Sequence, residues 1–172
     1  MSILVLGLGN LVHSDDGLGV HAIHLLEKDP RLPPDVALLD GGTQGLSLIP
    51  HISGFDRVVV IDAIDVGEAP GTLLRLEGAA LANLPGKATV HALGFADLMI
   101  ALKLLDSAPS EVVLLGVQPQ STSDWNAELT PLVRGALEKI PGLVLSQIAR
   151  WKEQTYERGT AGQDLRNSSR PQ

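Results

Sequence analysis

Short continuous apolar runs alternate along this chain with longer segments in which apolar residues recur at helical spacing. The runs are typical of buried strands, and they predict strands at 2–7, 36–39, 57–64 and 111–118. The helical patterns predict helices from Gly17 to Pro30, over 93–105 and over 130–151, and a short helix over 46–52. Proline should interrupt the short helix at Pro50 and break or bend the last helix near Pro141.

This alternation predicts an α/β fold. Right-handed crossovers between successive strands give a mostly parallel, twisted sheet of about five strands with helices on both faces, so three layers in the order α/β/α. Residues 72–76 are expected to form an antiparallel edge strand, because the linker before them is too short for a helix. With 172 residues, the chain is expected to form one catalytic domain over 1–152, followed by a polar, disordered tail over 153–172.

Composition narrows the possible functions. A formal net charge of -7 argues against nucleic-acid binding, which needs clustered Lys and Arg. The apolar opening lacks the basic flank of a secretory signal, and no apolar run reaches the length of a membrane span, so a cytoplasmic protein is expected. Cysteine is absent, so protein-supplied metal ligands must be His, Asp or Glu.

Acidic residues follow the predicted strands at the edge where α/β sheets bind ligands. Asp16 follows the first strand, Asp40 ends the second and Asp62 ends the third, and His91 precedes the next long helix on the same side. Asp62 interrupts a strongly apolar run, where an unpaired charge is costly and favours a nearby cation. Two carboxylates and one imidazole form a plausible ligand set for a divalent transition metal.

Simpler interpretations exist for several of these residues. Asp15 or Asp16 can cap the first helix, in which case Asp15→Asn should be mild, and Asp40 can form a turn with the glycines after it. His21 and His24 could chelate a metal from one helix face, although such pairs are usually solvated.

Two other functional classes are disfavoured by the motifs. The GLGN loop at 7–10 lacks the third glycine of a dinucleotide-binding motif, and the acids that follow would repel a pyrophosphate. The G-x-S-x-G and H-E-x-x-H signatures of hydrolases are absent from the sequence.

Several segments resemble the hydrogenase maturation endopeptidases. They are ILVLGLGNLVHSDDGLGVHAI at 3–23, LLDGGTQGLSLI at 38–49, VVVIDAIDVGEAPGT at 58–72, HALGFADLMIALKL at 91–104 and LLGVQPQS at 114–121. The resemblance covers roughly residues 1–150 and implies a phosphorylase/hydrolase-like sheet. It also implies an enzyme that recognises nickel in the precursor of a NiFe-hydrogenase large subunit and cleaves one peptide bond to remove the C-terminal extension.

The resemblance further implies roles for individual residues. The metal-binding and catalytic positions fall on Asp16, Asp62 and His91, where relatives can carry Glu in place of Asp16. The D-G-G-T loop, Asp40, Gly41, Gly42 and Thr43, falls on a substrate-binding position.

Several consequences of the resemblance stay open. Nickel is expected to arrive with the substrate, other divalent metals could substitute for it, and the enzyme is expected to be a monomer. A metal-free mechanism, in which Asp16 and Asp62 activate water as a carboxylate pair of aspartic-protease type, stays open. So does a chaperone that holds the nickel-loaded precursor without cutting it.

Overall fold

The computed structural model describes residues 1–82 and 90–167, without the side chains of residues 79, 82, 90–94, 96 and 158–167. The strands are β1 (Ile3–Leu8), β2 (Val36–Gly42), β3 (Arg57–Ala63), β4 (Leu73–Glu77) and β5 (Glu111–Val117). The α-helices are α1 (Leu18–Leu26), α2 (Ile49–Ile52), α3 (Ala79–Ala82), α4 (Val90–Leu104), α5 (Pro131–Leu137) and α6 (Ile140–Asn167). Two 3-10 helices, Ser14–Gly17 and Gly45–Leu48, precede α1 and α2. No helix in the described ranges is both long and apolar enough to cross a membrane.

The strands form one five-stranded sheet in the order β2-β1-β3-β5-β4. β1, β2, β3 and β5 are parallel, and only β4 is antiparallel, paired with β5 at the edge. The predicted fold class and the antiparallel edge strand are therefore confirmed. The apolar sequence of β3 explains its central position, because every residue of that strand is buried.

Alternation along β3 divides the apolar core into two layers. Val59 and Ile61 belong to the layer covered by α1, α5 and α6, whereas Val58 and Val60 belong to the layer covered by α4 and the 3-10 helix before α2. Each layer buries a separate set of side chains against one face of the sheet, which gives the three-layer architecture that the sequence predicts.

After β1, the chain adds β2 on one side of that strand and the later strands on its other side. The chain passes from β1 through α1 on one face to β2, and then through α2 on the other face to β3. Such a reversal opens a crevice at the carboxyl ends of the two central strands, where ligands bind in this class of sheet. β1 and β3 are those strands here, and Asp16 and Asp62 follow or end them.

Proline bears on two of the local predictions, and the one at Pro50 is wrong. Pro50 lies in the first turn of α2 and does not interrupt it, because a proline there lacks only an amide that would be unpaired anyway. The predicted break of the C-terminal helix near Pro141 is confirmed, since α5 ends at Leu137 and α6 begins at Ile140. α6 then continues to Asn167, into the segment for which the polar sequence favours a disordered tail.

Candidate active site

The loop after β1 folds tightly because of one glycine. Gly9 has φ +132, a conformation that side chains rarely adopt, and a Cβ there would collide with the carbonyl oxygen of Asp16. The Asn10 amide donates to that same oxygen at 3.2 Å, and the Gly9 amide donates to the Gly42 carbonyl at 2.9 Å. The loop therefore brings Asp16 back towards the end of β1, with 4% of Asp16 exposed.

Asp62 is the residue before last in β3, and it is only 1% exposed. In the sheet, Asp62 pairs with Gly116 of β5, and the preceding residue, Ile61, pairs with Gly7 of β1. Alternation places Asp62 on the face shared with Val58 and Val60. The carboxylate is thus held near the carboxyl edge of the sheet, in largely apolar surroundings.

The beginning of α1 sits directly on these strand ends. A Cβ on Gly19 would collide with the carbonyl oxygens of Ile61 and Leu8, so only glycine permits this approach. The 3-10 helix Ser14–Gly17 also contacts β3. The segment that carries Asp16 therefore lies against β3, the strand that carries Asp62, although the two residues are 46 positions apart in the sequence.

His91 lies in the first turn of α4, and its side chain is outside the described residues. α4 contacts the 3-10 helix Gly45–Leu48, which follows the carboxyl end of β2. At the other end, Ser107 just beyond α4 bonds to Ser53 just before β3, so α4 runs antiparallel to β3. The helix begins three residues earlier than the sequence predicts, and its first turn lies at the carboxyl edge, on the face that carries Asp62.

The D-G-G-T loop lies on the other side of β1. Asp40 pairs with Gly7 in the sheet, which puts it two strands away from Asp62, about 9.5 Å at normal strand spacing. Its side chain is exposed and accepts a hydrogen bond from the Gly42 amide at 2.9 Å, the turn that the sequence offers as an alternative. Gly41 is buried, Thr43 is exposed, and their role in substrate binding stays a prediction.

Asp15 does not cap α1, which corrects the capping prediction. The cap position is Gly17, and no side-chain hydrogen bond caps the helix. Asp15 is fully buried, and its carboxylate accepts four hydrogen bonds from described residues. The donors are the amides of Gln120, Ser121 and Thr130 and the hydroxyl of Thr130.

Gln118 is a second buried residue that holds a loop near the candidate site, and it is absent from the sequence-based site predictions. Its side-chain oxygen accepts from the amides of Val66 and Glu68 at 2.9 and 3.2 Å, and its nitrogen donates to Asp65 at 2.9 Å. This buried amide fixes the turn after β3, immediately beyond Asp62. A glutamine directly after an apolar strand was the available signal, but its partners lie about 50 positions earlier.

Within the described side chains, no group of three or more His, Asp or Glu residues is placed to hold a metal. That search does not include His91, so the ligand set of Asp16, Asp62 and His91 stays a prediction. The buried Asp16 and Asp62 carboxylates are hard anionic donors that suit a divalent cation. A chelating pair of His21 and His24 gains no third ligand from the described residues.

His21 provides a prediction about pH. Its Nε2 is buried without a hydrogen-bond partner among the described residues, and burial lowers its pKa. The Ala127 backbone opposes this shift, whereas His24 and Arg134 add to it. Folding therefore favours the neutral ring, so stability is full above the unfolded-state pKa of about 6.5 and is lost as the pH falls below it.

We expect His21→Gln to reduce the fall in melting temperature between pH 7.5 and 5. Carboxylates such as Asp29, whose pKa the Arg31 guanidinium lowers to about 2, titrate well below this window. Thermal unfolding of both proteins at several pH values measures the difference. Equal slopes for the wild type and the variant would contradict the role of His21.

Sequence comparison identifies close relatives. A family model described as hydrogenase maturation protease matches residues 20–147. The hydrogenase expression/formation protein HupD of Bradyrhizobium diazoefficiens is 38% identical over 151 residues, which cover 87% of this chain and 79% of that protein. The hydrogenase 2 maturation protease of Escherichia coli is 36% identical over 150 residues, covering 86% of this chain and 91% of that protein.

Structural comparison gives the same result. The hydrogenase maturating endopeptidase HybD of Escherichia coli superposes with a TM-score of 0.81 at 36% sequence identity, covering 87% of this chain and 93% of that chain. The structural similarity therefore extends over most of this chain.

Proposed function

Because the chain belongs to the hydrogenase maturation protease family, we propose that it recognises nickel in the precursor of a NiFe-hydrogenase large subunit and removes the C-terminal extension by cleaving one peptide bond. The observation that supports this proposal best is the burial of two carboxylates near the carboxyl ends of the central strands: Asp16 lies in the 3-10 helix that follows β1, and Asp62 lies near the end of β3. The cytoplasmic location and the monomeric state remain predictions from the sequence.

In this proposal, Asp16, Asp62 and His91 contact the nickel that the substrate carries. Carboxylate and imidazole groups are ordinary ligands for such an ion, and three of them leave positions for the ligands that the precursor supplies. When bound, the nickel would polarise the scissile carbonyl or a water molecule.

Burial of the two acids gives a physical reason for nickel recognition. Asp16 and Asp62 are 4% and 1% exposed, so each carboxylate has lost most of its hydration. A divalent cation brought by the substrate would be attracted to both carboxylates, and this attraction is stronger in a poorly solvated crevice than in water. A precursor without nickel lacks this attraction, so it should bind the site more weakly.

The competing mechanism uses Asp16 and Asp62 alone. Two adjacent carboxylates resist ionising together, so one could keep a proton while the other activates water. This mechanism gives His91 no role, whereas the nickel mechanism employs all three residues. It also predicts cleavage that does not depend on nickel.

The experiment compares nickel-loaded and nickel-free precursor, each incubated with the purified protein and analysed by mass spectrometry. We expect loss of the C-terminal extension from the nickel-loaded precursor only. Equal cleavage of both forms would overturn nickel recognition and favour the carboxylate pair. A stable complex with no change in precursor mass would overturn the endopeptidase proposal and indicate a chaperone.

A further inference from the structure

Residues 119–130 contain no helix or strand and lie beside the candidate site. It follows β5 and precedes α5, and it packs along the loop that leads to Asp16. The Ser14 amide donates to the Asn126 carbonyl at 2.6 Å, and the Asn126 amide donates to the Val12 carbonyl at 3.2 Å. The two loops are thus paired through their backbones more than 100 positions apart in the sequence.

Asp15 joins both ends of this segment. Its Oδ2 accepts from the Gln120 amide at 2.9 Å and the Ser121 amide at 3.1 Å, at the start of the segment. Its Oδ1 accepts from the Thr130 amide at 2.7 Å, and Oδ2 also accepts from the Thr130 hydroxyl at 2.9 Å, at the end of the segment. A single buried carboxylate therefore closes a compact loop of about ten residues.

Ser14, the residue before Asp15, has a strained backbone conformation in this arrangement. Ser14 is buried and has φ 49, in the left-handed region that non-glycine residues seldom occupy. Its hydroxyl donates to the Glu128 carbonyl at 3.1 Å, which adds a further bond to the same segment. Such strain persists only where surrounding contacts over-determine the conformation, and here those contacts are to residues 119–130.

We propose that Asp15 is a positioning residue, which holds residues 119–130 against the Asp16 loop and so fixes the geometry of Asp16 in the crevice. The proposal rests on the function proposed above for Asp16. Asp15 and Asp16 are adjacent in one 3-10 helix, so a backbone shift at Asp15 that follows the loss of its hydrogen bonds also moves Asp16. Asp15 itself does not touch substrate in this proposal.

Asp15→Asn is the sharpest test, because Asn has the same shape but offers one acceptor oxygen and a donor group in place of two acceptors. At least one of the four donors then faces an NH₂ group and loses its bond. We expect hydrogen exchange at the amides of Gln120, Ser121 and Thr130 to accelerate by about tenfold or more, with exchange in the central strands of the sheet little changed. Thr130→Val, which removes only the hydroxyl donor, should give a smaller acceleration.

The kinetic readout separates positioning from general destabilisation. We expect Asp15→Asn to lower kcat for the nickel-loaded precursor by about tenfold at a temperature where the variant is fully folded. Val144→Ala truncates a fully buried side chain of α6 in the core layer and provides a destabilised control that should keep the wild-type kcat. Equal losses of kcat in the two variants would overturn the proposal.

Trp125 supplies a readout that needs no substrate. Its ring is 84% exposed and contacts His13 edge-on, with ring centroids 5.0 Å apart. In a Trp151→Phe background, Trp125 is the remaining tryptophan, and its fluorescence reports on residues 119–130. We expect Asp15→Asn to change its emission and its quenching by acrylamide.

The two proposals can fail separately. If the wild-type protein leaves the nickel-loaded precursor intact, the proposed function fails, while exchange and fluorescence of the free protein still report on Asp15. If those two measurements are unchanged by Asp15→Asn, or if kcat stays within about twofold of the wild type, Asp15 has no positioning role.

Discussion

Asp62→Asn is expected to reduce kcat/KM for the nickel-loaded precursor by about 10²- to 10⁴-fold, the range typical for loss of a group that acts directly on the reaction. Asn preserves the size of the side chain but removes the charge that we propose faces the substrate's nickel. Because Asn has nearly the same size and shape as Asp, the variant should remain folded at the assay temperature. A variant that is stable and inactive would indicate function rather than support of the fold.

Quantitative mass spectrometry of the cleaved extension, at several precursor concentrations, gives kcat and KM for this variant. Asp35→Asn is a matched control, because Asp35 is exposed just before β2 and forms an ion pair with Lys152 away from the site. It should cleave at the wild-type rate. Cleavage by Asp62→Asn at more than about half of that rate would defeat the assignment of Asp62.

Gly9→Ala is expected to lower the free energy of unfolding by about 3 kcal/mol or more, the largest loss of stability predicted here. The added methyl group would collide with the Asp16 carbonyl oxygen, and alanine would be strained at φ +132. The loop must then move, so activity should fall even at temperatures where the sheet remains folded.

Gly135→Ala is the matched control for this substitution. Gly135 lies within α5, where a Cβ meets nothing within 4 Å, so alanine should stabilise the helix by about 0.5–1 kcal/mol. Urea unfolding of both variants measures the two changes. The interpretation of the loop would be wrong if Gly9→Ala were as stable as the wild type.

Most of the sheet could be predicted because its strands are short apolar runs that glycine or polar residues follow. β3 is the clearest case, since consecutive β-branched residues leave little alternative to a buried strand. The strand order could not be predicted, because parallel strands with similar apolar sequences pair equally well on either side of β1. The end of α6 was also not predictable, because helical spacing is weak in a polar segment.

The site could be predicted only where chemistry follows directly from position along a strand. Asp16 follows β1 and Asp62 lies near the end of β3, and the structure buries both residues, while their joint role stays a prediction. The capping role predicted for Asp15 is wrong, because its donors, at 120–130, are all distant in the sequence and mostly backbone amides. Backbone donors carry no residue signature, so sequence patterns cannot reveal them.

The distance along the chain between Asp15 and its hydrogen-bond donors has a consequence for biosynthesis. A nascent chain that ends at β5 already contains Asp16, Asp62 and all five strands, but it lacks every donor to the Asp15 carboxylate. The crevice can therefore acquire its final shape only after Thr130 has left the ribosome. We therefore expect the acidic site to reach its final geometry only when residues 119–130 are available to pack against the Asp16 loop.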